Sequence, residues 1–285
     1  MPLISLIAAK GGLDPALVAS LQGAFGATGD ALWLGPDEAA EFPVSTRPGN
    51  LAEVQTAVAE QKVDLNYIDD PARRKSLLIA DMDMTMIEQE CIDELAAEAG
   101  VGERVAEITV RAMNGELDFE AAVSERVGLM AGLGANVIDH VLASRISLAP
   151  GGQALVQTMK KHGAHTALVS GGFIQFAQNV AAQLGFDEAH ANRLLIEDDK
   201  LTGDVARPIL GRETKVEVLT RLSPDTSKAI AIGDGANDLG MIGKAGMGVA
   251  VHAKPIVAEA APYAINHGDL SACLFLQGYS IADFA

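Results

Sequence analysis

The chain has 285 residues, 49% of them apolar and 21% charged, which is typical of a folded protein of one or two domains and excludes wholesale disorder. Acidic residues outnumber basic ones by 38 to 21, and the formal charge of −17 argues against nucleic acid or an anionic membrane as a partner. No apolar run approaches the ~18 residues of a membrane-spanning helix, and the start of the chain lacks the regions of a signal peptide. The two cysteines and the six histidines show no metal-ligand spacing. A disulfide between the two cysteines is not expected in a chain of this size, so we expect a cytoplasmic protein.

Residues 1–75 are predicted to form a separate unit. Asp14 and Pro15 are typical of a helix start, and Gly35-Pro36-Asp37 is typical of a turn. The predicted elements, in the order βαββαβ, are Leu3–Ala8, Pro15–Phe25, Ala31–Leu34, Glu41–Val44, Leu51–Gln61 (after a possible cap at Asn50) and Val63–Ile68. This order is that of a small ferredoxin-like α+β fold, and the polar segment 69–75 behind it is typical of a linker.

Residues 76–285 are predicted to form an α/β domain around a parallel sheet. Four short, fully apolar runs indicate strands that are buried on both faces: Ser76–Ala80, Thr166–Ser170, Ala229–Ile232 and Gly246–Val251. A long insert at about residues 87–149 follows the first run, and its apolar spacing predicts helices that could cover the strand ends as a cap. Arg193–Gly203 has the pattern of a hairpin. In such sheets ligands bind at the carboxyl ends of the strands.

Two carboxylates follow the first of these strands. Asp81 and Asp83 point the same way if the strand geometry continues, and their repulsion favours a bound cation. Oxygen-only ligands suit Mg²⁺, which would also let a phosphate group approach. Asp81 could then act as a nucleophile on phosphorus, and Asp83 as the acid and base. An acidic turn or a structural ion site is the alternative interpretation of two acids at this spacing.

Polar residues follow the later strands as well. The triplet Ser170-Gly171-Gly172 precedes a predicted helix and has the outline of a phosphate cradle, although such triplets also form ordinary turns. Lys215, at a predicted helix start, could hold a phosphate, and Arg212 is an alternative from spacing alone. The segment Gly233–Asp238 (GDGAND) offers Asp234 as a further metal ligand. An Asx-rich turn that caps the next helix is the alternative there.

In this order, the four segments resemble the four motifs of the haloacid dehalogenase superfamily, and the resemblance covers the chain from Ser76 to its end. Within the superfamily the sequence is most similar to the phosphoserine phosphatase family. The further matching stretches are Asp81–Glu94, Arg111–Glu120, Glu125–Val127, Val169–Phe173 and Ala191–Leu194. The resemblance implies a HAD-like (Rossmann-like) α/β domain with a helical cap insert. The N-terminal unit is similar to the ACT-like domains that precede it in some bacterial members.

The resemblance also implies a role for each matching residue. Asp81 would be the nucleophile and Asp83 the proton donor and acceptor, while Mg²⁺ would be held by Asp81, the backbone carbonyl of Asp83, and Asp234. The phosphoryl group would be bound by Ser170, Gly171 and Lys215. The other expected contacts are Glu90 to the substrate ammonium, Arg126 to its carboxylate, Asn237 to substrate or water, and Met113 and Phe119 on the apolar side, with Gly172 and Asp238 in supporting positions.

Together these roles imply a Mg²⁺-dependent enzyme that hydrolyses O-phospho-L-serine to L-serine and phosphate through an aspartyl-phosphate, as the last step of L-serine biosynthesis. Two alternatives are a phosphotransferase that passes the phosphoryl group to another amino-acid hydroxyl, such as that of homoserine, and a phospho-accepting signalling module without turnover. The expected partner is the small-molecule substrate, with no nucleic acid and no membrane. The N-terminal unit suggests amino-acid sensing or a homodimer.

Overall fold

The computed structural model describes residues 1–113 and 116–285, without the side chain of Met113. Residues 1–68 form an antiparallel four-stranded sheet with two helices, and the predicted βαββαβ order is confirmed. The elements are β1 (Leu3–Ala8), α1 (Pro15–Phe25), β2 (Leu32–Gly35), β3 (Ala39–Pro43), α2 (Leu51–Ala59) and β4 (Val63–Ile68). The strands lie in the order β2-β3-β1-β4.

Local sequence explains some of these boundaries. Asp14 caps α1 as predicted, because its carboxylate accepts a hydrogen bond from the backbone N–H of Ala16 at 2.8 Å. Asn50 stands before α2, but its side chain makes no capping hydrogen bond. The turn between β2 and β3 spans residues 36–38, where Asp37 adopts a left-handed φ of 52°. Because the turn ends at residue 38, β3 begins at residue 39, two residues earlier than predicted.

The second domain contains the predicted parallel sheet. Its first half consists of β5 (Leu77–Ala80), α3 (Cys91–Glu98), α4 (Gly102–Met113), α5 (Phe119–Gly128), α6 (Asn136–Ser144), α7 (Gly152–Lys161), β6 (His165–Phe173), α8 (Ile174–Leu184) and β7 (Glu188–Asn192). Its second half consists of β8 (Leu194–Glu197), β9 (Lys200–Val205), α9 (Arg212–Leu222), β10 (Ala229–Gly233), α10 (Leu239–Lys244), β11 (Met247–Val251), α11 (Pro255–Ala260), β12 (Tyr263–Ile265) and α12 (Ala272–Leu276). Six strands pair in parallel in the order β12-β11-β10-β5-β6-β7, and β8 and β9 form the predicted hairpin. Every residue of β5, β10 and β11 is buried, as expected for strands covered on both faces.

Helices α3–α6 form the insert between β5 and α7. The chain enters and leaves this insert through two paired connectors, residues 86–88 and 147–149. Ile87 and Leu148 form an antiparallel bridge, the N–H of Glu88 donates to the carbonyl of Ser147 at 3.0 Å, and residue 149 donates back to residue 86 at 2.9 Å. Among the described residues, no helix combines the length and apolar character needed to cross a membrane.

The N-terminal unit packs against the edge of the second domain beyond β12. The carboxylate of Asp64, on β4, is 4% exposed and accepts hydrogen bonds from the backbone N–H groups of Asn266, His267 and Gly268 at 2.8, 2.9 and 3.2 Å. Asn66, two residues further along β4, exchanges two hydrogen bonds with the backbone of residue 264, both at 3.1 Å. These side chains pair with backbone groups at the edge of the second sheet and so hold the N-terminal unit against it.

Candidate active site

Asp81 and Asp83 follow the end of β5, as predicted, but their side chains have different partners. Oδ1 of Asp81 lies 2.7 Å from Nζ of Lys215. Oδ2 of Asp83 accepts a hydrogen bond from the hydroxyl of Ser170 at 2.9 Å, and its Oδ1 accepts one from the backbone N–H of Cys91, at the start of α3, at 2.9 Å. Burial raises the pKa of Asp83 above its usual range, and it outweighs these hydrogen bonds, which act in the opposite direction. Asp83 therefore holds a proton more readily than an ordinary aspartate does.

Lys215 reaches the site from the first turn of α9 and is 1% exposed. Its Nζ lies between two carboxylates, 2.7 Å from Oδ1 of Asp81 and 2.6 Å from Oδ1 of Asp238. Burial disfavours the charged ammonium, but the two aspartates outweigh this effect and raise the pKa of Lys215. Arg212, the alternative from spacing, is exposed. Lys215 is thus the cation beside Asp81.

Three aspartates converge beneath the ends of β5 and β10. Oxygens of Asp81, Asp234 and Asp238 all lie within 4.8 Å of one another. Asp234 accepts a hydrogen bond from the hydroxyl of Thr85 at 3.2 Å, and burial followed by the charge of Asp81 raises the pKa of Asp234. Asp238 is fully buried, its Oδ2 accepts a hydrogen bond from the N–H of Gly235 at 3.0 Å, and burial and Asp81 raise its pKa to about 7.

This aspartate cluster fits a divalent metal ion. Carboxylate oxygens are the ligands that hard cations prefer, and a cation would offset the repulsion that raises these pKa values. The expected ligand set differs from the cluster in one respect. The side chain of Asp83 faces Ser170 and the start of α3, so Asp83 could offer the ion only its backbone carbonyl, as the sequence resemblance implies. Asp238, expected only in a supporting position, brings the third carboxylate.

The triplet Ser170-Gly171-Gly172 lies near the end of β6 and precedes a helix, as predicted. The strand continues to Phe173, three residues beyond the predicted end, and α8 begins at Ile174, one residue later than predicted. Pairing of β6 with β7 shifts register between Val169 and Phe173, and the triplet fills this irregular stretch. The N–H of Gly172 donates to the hydroxyl of Ser170 at 2.8 Å. A Cβ at Gly172 would lie 2.6 Å from Oδ2 of Asp83, so only glycine allows this approach.

Asn192 joins the triplet to the segment before α9. Its Nδ2 donates to the carbonyls of Gly171 and Leu210, each at 2.9 Å, and its Oδ1 accepts a hydrogen bond from the N–H of Leu210 at 2.7 Å. The side chain is 2% exposed and lies at the end of β7. One buried amide thus fixes Gly171 relative to the helix that carries Lys215. The stretch around Asn192 matched the family pattern, but these contacts join residues 18 to 21 positions apart and have no local sequence signal.

Most of the predicted site residues line one cavity of about 410 Å³ between the sheet and the insert. Its walls include Asp81, Asp83, Glu90, Phe119, Arg126, Ser170, Gly171, Gly172, Asp234 and Asn237. Lys215 and Asp238 lie behind Asp81, beyond the cavity wall. The side chain of Met113 lies outside the described residues. Thr109 and Lys254 also line the cavity, and sequence reasoning singled out neither of them.

Glu90 and Arg126 approach the cavity from the insert. Glu90 precedes α3 without capping it, and although part of its side chain is open to solvent, burial and the charges of Asp83 and Asp234 raise its pKa to about 7. Arg126, on α5, donates to the carbonyl of Ala122 at 3.2 Å and lies 3.4 Å from the hydroxyl of Thr109. Burial lowers the pKa of Arg126, against the opposing effect of nearby acids. The cavity therefore presents one acidic side chain, Glu90, and one basic side chain, Arg126, opposite the aspartate cluster.

Comparison with known proteins agrees with this architecture. A family model described as haloacid dehalogenase-like hydrolase matches residues 78–242. The chain is 43% identical over 252 residues to a phosphoserine phosphatase of Streptomyces coelicolor, covering 85% of this chain and 61% of that protein, and 42% identical over 228 residues to a probable phosphoserine phosphatase of Schizosaccharomyces pombe, covering 77% and 76%. The crystal structure of a probable phosphoserine phosphatase from Vibrio cholerae superposes with a TM-score of 0.83 at 32% identity, covering 99% and 88%. The chain belongs to the haloacid dehalogenase-like hydrolases and, within them, to the phosphoserine phosphatase family.

Proposed function

We propose that this chain hydrolyses O-phospho-L-serine to L-serine and phosphate, as the last step of L-serine biosynthesis in the cytoplasm. The proposal rests on the arrangement of charged groups in the cavity. A buried carboxylate, Asp81, lies beside Lys215 and the aspartate cluster at the base of a cavity whose opposite wall holds Glu90 and Arg126. The base of the cavity suits a phosphate and a metal ion, and the opposite wall suits an ammonium and a carboxylate.

Asp81 supplies the nucleophile in the proposed reaction. One of its oxygens attacks phosphorus while the bond from phosphorus to the serine oxygen breaks, and Asp83 gives its proton to that oxygen. A water molecule then attacks the phosphorus of the aspartyl-phosphate and passes a proton to Asp83. The bond between phosphorus and the Asp81 oxygen breaks, so phosphate is released and the Asp81 carboxylate is restored. The raised pKa of Asp83 supports its role as the proton donor, and the hydroxyl of Ser170 with the backbone of Gly171 would bind the phosphoryl oxygens.

The proposed cofactor is Mg²⁺. Asp81, Asp234 and the backbone carbonyl of Asp83 would hold it, while Asp238 is tied to Lys215 by a hydrogen bond of 2.6 Å and would keep that lysine in place. When bound, the ion would offset the negative charge of the phosphate and of the aspartates, so that a carboxylate can approach phosphorus.

Substrate selection is assigned to the insert. An arginine guanidinium binds a carboxylate through paired, charge-assisted hydrogen bonds, and a glutamate pairs with an ammonium. Arg126 and Glu90 would therefore select a zwitterionic phosphoester, with Asn237 and Phe119 completing the pocket. Phe119 is 43% exposed, and its ring lies so close to the far side of the cavity that a Cβ at Gly171 would be 3.3 Å from it.

A panel of phosphomonoesters tests the proposal. With Mg²⁺, we expect phosphoserine to be hydrolysed more efficiently than phosphothreonine, a sugar phosphate or an aryl phosphate. Arg126→Ala should raise KM for phosphoserine and spare the aryl phosphate, while Arg104→Ala, an exposed change on α4, should alter neither. Equal losses on both substrates in Arg126→Ala would refute the carboxylate role. Addition of homoserine separates transfer, which yields phosphohomoserine, from hydrolysis, which yields only phosphate.

We further propose that residues 1–75 form an ACT-like regulatory domain and residues 76–285 the phosphatase domain, with a cap at about 87–149. The antiparallel sheet order β2-β3-β1-β4 and the separate apolar core of the N-terminal unit support this division. A homodimer through this unit is part of the proposal. Light scattering of the full chain and of the chain from residue 76 tests it, and a monomeric full chain would refute the dimer.

A further inference from the structure

Lys254 lies in the wall of the active-site cavity, and the reaction proposed above gives it no role. Its side chain lines the same cavity as Asp81, Asp234 and Arg126, and it is exposed to solvent. Arg126 reaches the cavity from the insert, whereas Lys254 reaches it from the domain that carries the parallel sheet. The two basic side chains of this wall therefore come from opposite sides of the cavity.

The backbone fixes the position from which Lys254 extends. Residue 254 lies between the end of β11 and the start of α11. Its N–H donates to the carbonyl of Asp234 at 3.3 Å, and its own carbonyl accepts hydrogen bonds from the N–H groups of Val257 and Ala258 at 2.9 and 3.1 Å. Because β10 and β11 are parallel neighbours in the sheet, these contacts place Lys254 beside the aspartate cluster, at the end of the cavity that suits a phosphate.

The ammonium of Lys254 is available to a ligand. Within the described residues it makes neither a hydrogen bond nor an ion pair, whereas the ammonium of Lys215 lies 2.7 and 2.6 Å from the carboxylates of Asp81 and Asp238. The charge of Lys254 nevertheless acts on Asp234. Burial, followed by the charge of Asp81, raises the pKa of Asp234, and Lys254 acts in the opposite direction. Lys254 is thus near the aspartate cluster without being paired to it.

The charge of the molecule works against an anionic substrate. The formal charge of the chain is −17, and the carboxylates of Asp81, Asp83, Glu90 and Asp234 line the cavity. A phosphate dianion is repelled by both. An exposed cation at the cavity attracts the anion across the solvent and so raises the rate of association, an effect that salt weakens. A lysine suits this task because its compact charge is carried on a flexible stem.

We propose that Lys254 is a further phosphate-binding residue, whose ammonium attracts the incoming phosphoester and contacts a phosphoryl oxygen of the bound substrate. This inference rests on the proposed hydrolysis of a phosphomonoester, but not on the serine part of the substrate. It assigns the two basic side chains of the wall to different ends of the ligand, Arg126 to the carboxylate and Lys254 to the phosphate. Every phosphomonoester should therefore depend on Lys254, whereas only substrates with a carboxylate should depend on Arg126.

Steady-state kinetics of Lys254→Gln test this role. With saturating Mg²⁺ at low ionic strength, we expect kcat/KM to fall about three- to tenfold for phosphoserine and for an aryl phosphate alike, because a charge-assisted contact at an exposed position is worth less than a buried one. The change should lie mainly in KM, since the contact is already made in the bound substrate. Lys254→Arg keeps the charge and should retain most of the wild-type value.

Lys244→Gln is the matched control. It removes the same charge from an exposed position of α10 that does not line the cavity, and it should behave as the wild type does. Thermal unfolding of all variants checks that they are folded. Calorimetric titration with inorganic phosphate in the presence of Mg²⁺ provides a second readout, and Lys254→Gln should bind phosphate more weakly by a similar factor.

The response to salt separates attraction of the substrate from a purely structural role. Added NaCl should lower kcat/KM of the wild type more steeply than that of Lys254→Gln, so that the two values converge at high ionic strength. Parallel salt dependences, or a wild-type kcat/KM in Lys254→Gln, would overturn the proposal.

Two further outcomes would also overturn it. A loss confined to phosphoserine would place Lys254 at the amino-acid end of the substrate, and a loss that higher Mg²⁺ concentrations abolish would assign Lys254 to metal binding. The aryl phosphate keeps this test separate from the proposed function. If the wild type hydrolyses the aryl phosphate and not phosphoserine, the proposed substrate is wrong, and the role of Lys254 is then decided by the aryl phosphate alone.

Discussion

At the scale of single residues, Asp81 and Asp83 show how different surroundings give two identical side chains different chemical roles. Asp81 lies 2.7 Å from a lysine ammonium. Asp83 has only neutral donors, a hydroxyl and a backbone N–H, and burial raises its pKa. The carboxylate beside the ammonium suits attack on phosphorus, and the acid with the raised pKa suits delivery of a proton to the leaving oxygen.

Exchange of each aspartate for asparagine should separate these two steps. We expect Asp81→Asn to abolish phosphate release, because an amide cannot form the aspartyl-phosphate. Asp83→Asn should slow release by ~10²- to 10⁴-fold, the usual contribution of a general acid and base, while acid-quenched samples still contain phosphorylated enzyme. Thermal unfolding of both variants serves as the control for folding. Wild-type turnover in Asp83→Asn would contradict its assignment.

Glu90 should make substrate binding depend on pH. Its pKa is raised to about 7 by burial and neighbouring acids, so the carboxylate is neutral below this value and charged above it. A bound cation would lower the pKa, so the transition in the metal-loaded enzyme should lie at or below 7. We expect KM for phosphoserine, divided by KM for an aryl phosphate without an ammonium, to fall as pH rises through this transition. Glu90→Gln should flatten the ratio, and a ratio that rises with pH would contradict the ammonium role.

At the scale of elements, the irregular end of β6 depends on a residue without a side chain. A Cβ at Gly172 would lie 2.6 Å from Oδ2 of Asp83 and 3.0 Å from the hydroxyl of Ser170. We expect Gly172→Ala to displace Asp83 and lower kcat by at least about tenfold, as misplacement of a catalytic group does. Gly243→Ala, on α10, meets no atom within 4 Å and should keep wild-type activity with a free energy of unfolding higher by up to about 1 kcal/mol. Equal kcat values for the two variants would contradict this account.

Much of the fold follows from local patterns, whereas the contacts inside the site do not. The apolar runs of β5, β10 and β11 identify strands because both of their faces are buried. The predicted end of β6, Ser170, is three residues too early, because glycines that continue a strand irregularly look in sequence like the glycines of a turn. The link from Asn192 to Gly171 and the presence of Lys254 in the cavity depend on tertiary packing. The partner of Asp238, Lys215, is 23 residues away in the chain, and no periodicity indicates such a pair.

At the scale of the whole molecule, Asp64 should control how firmly the N-terminal unit is held. Its buried carboxylate satisfies three successive backbone N–H groups of the phosphatase domain. Asp64→Ala would remove the partner of all three, at a cost of about 1–3 kcal/mol for the N–H of Gly268, the buried residue among them. We expect faster amide hydrogen exchange at residues 266–268 and faster proteolysis of the linker at 69–75. Asp30→Ala, an exposed change in the same unit, should leave both rates as in the wild type, and unchanged rates in Asp64→Ala would contradict a docking role.

The paired connectors of the insert have a consequence for engineering. Because residues 86–88 and 147–149 already run side by side like the two arms of a hairpin, a two-residue turn such as Asn-Gly could join them without disturbing β5 or α7. The shortened chain would keep Asp81, Lys215 and Asp234 but lose Glu90 and Arg126. It would also lose the N–H of Cys91 that holds Asp83, and the insert's share of the apolar core, so the neighbouring face of α8 would need polar replacements before the open site could be tested on bulky phosphoesters.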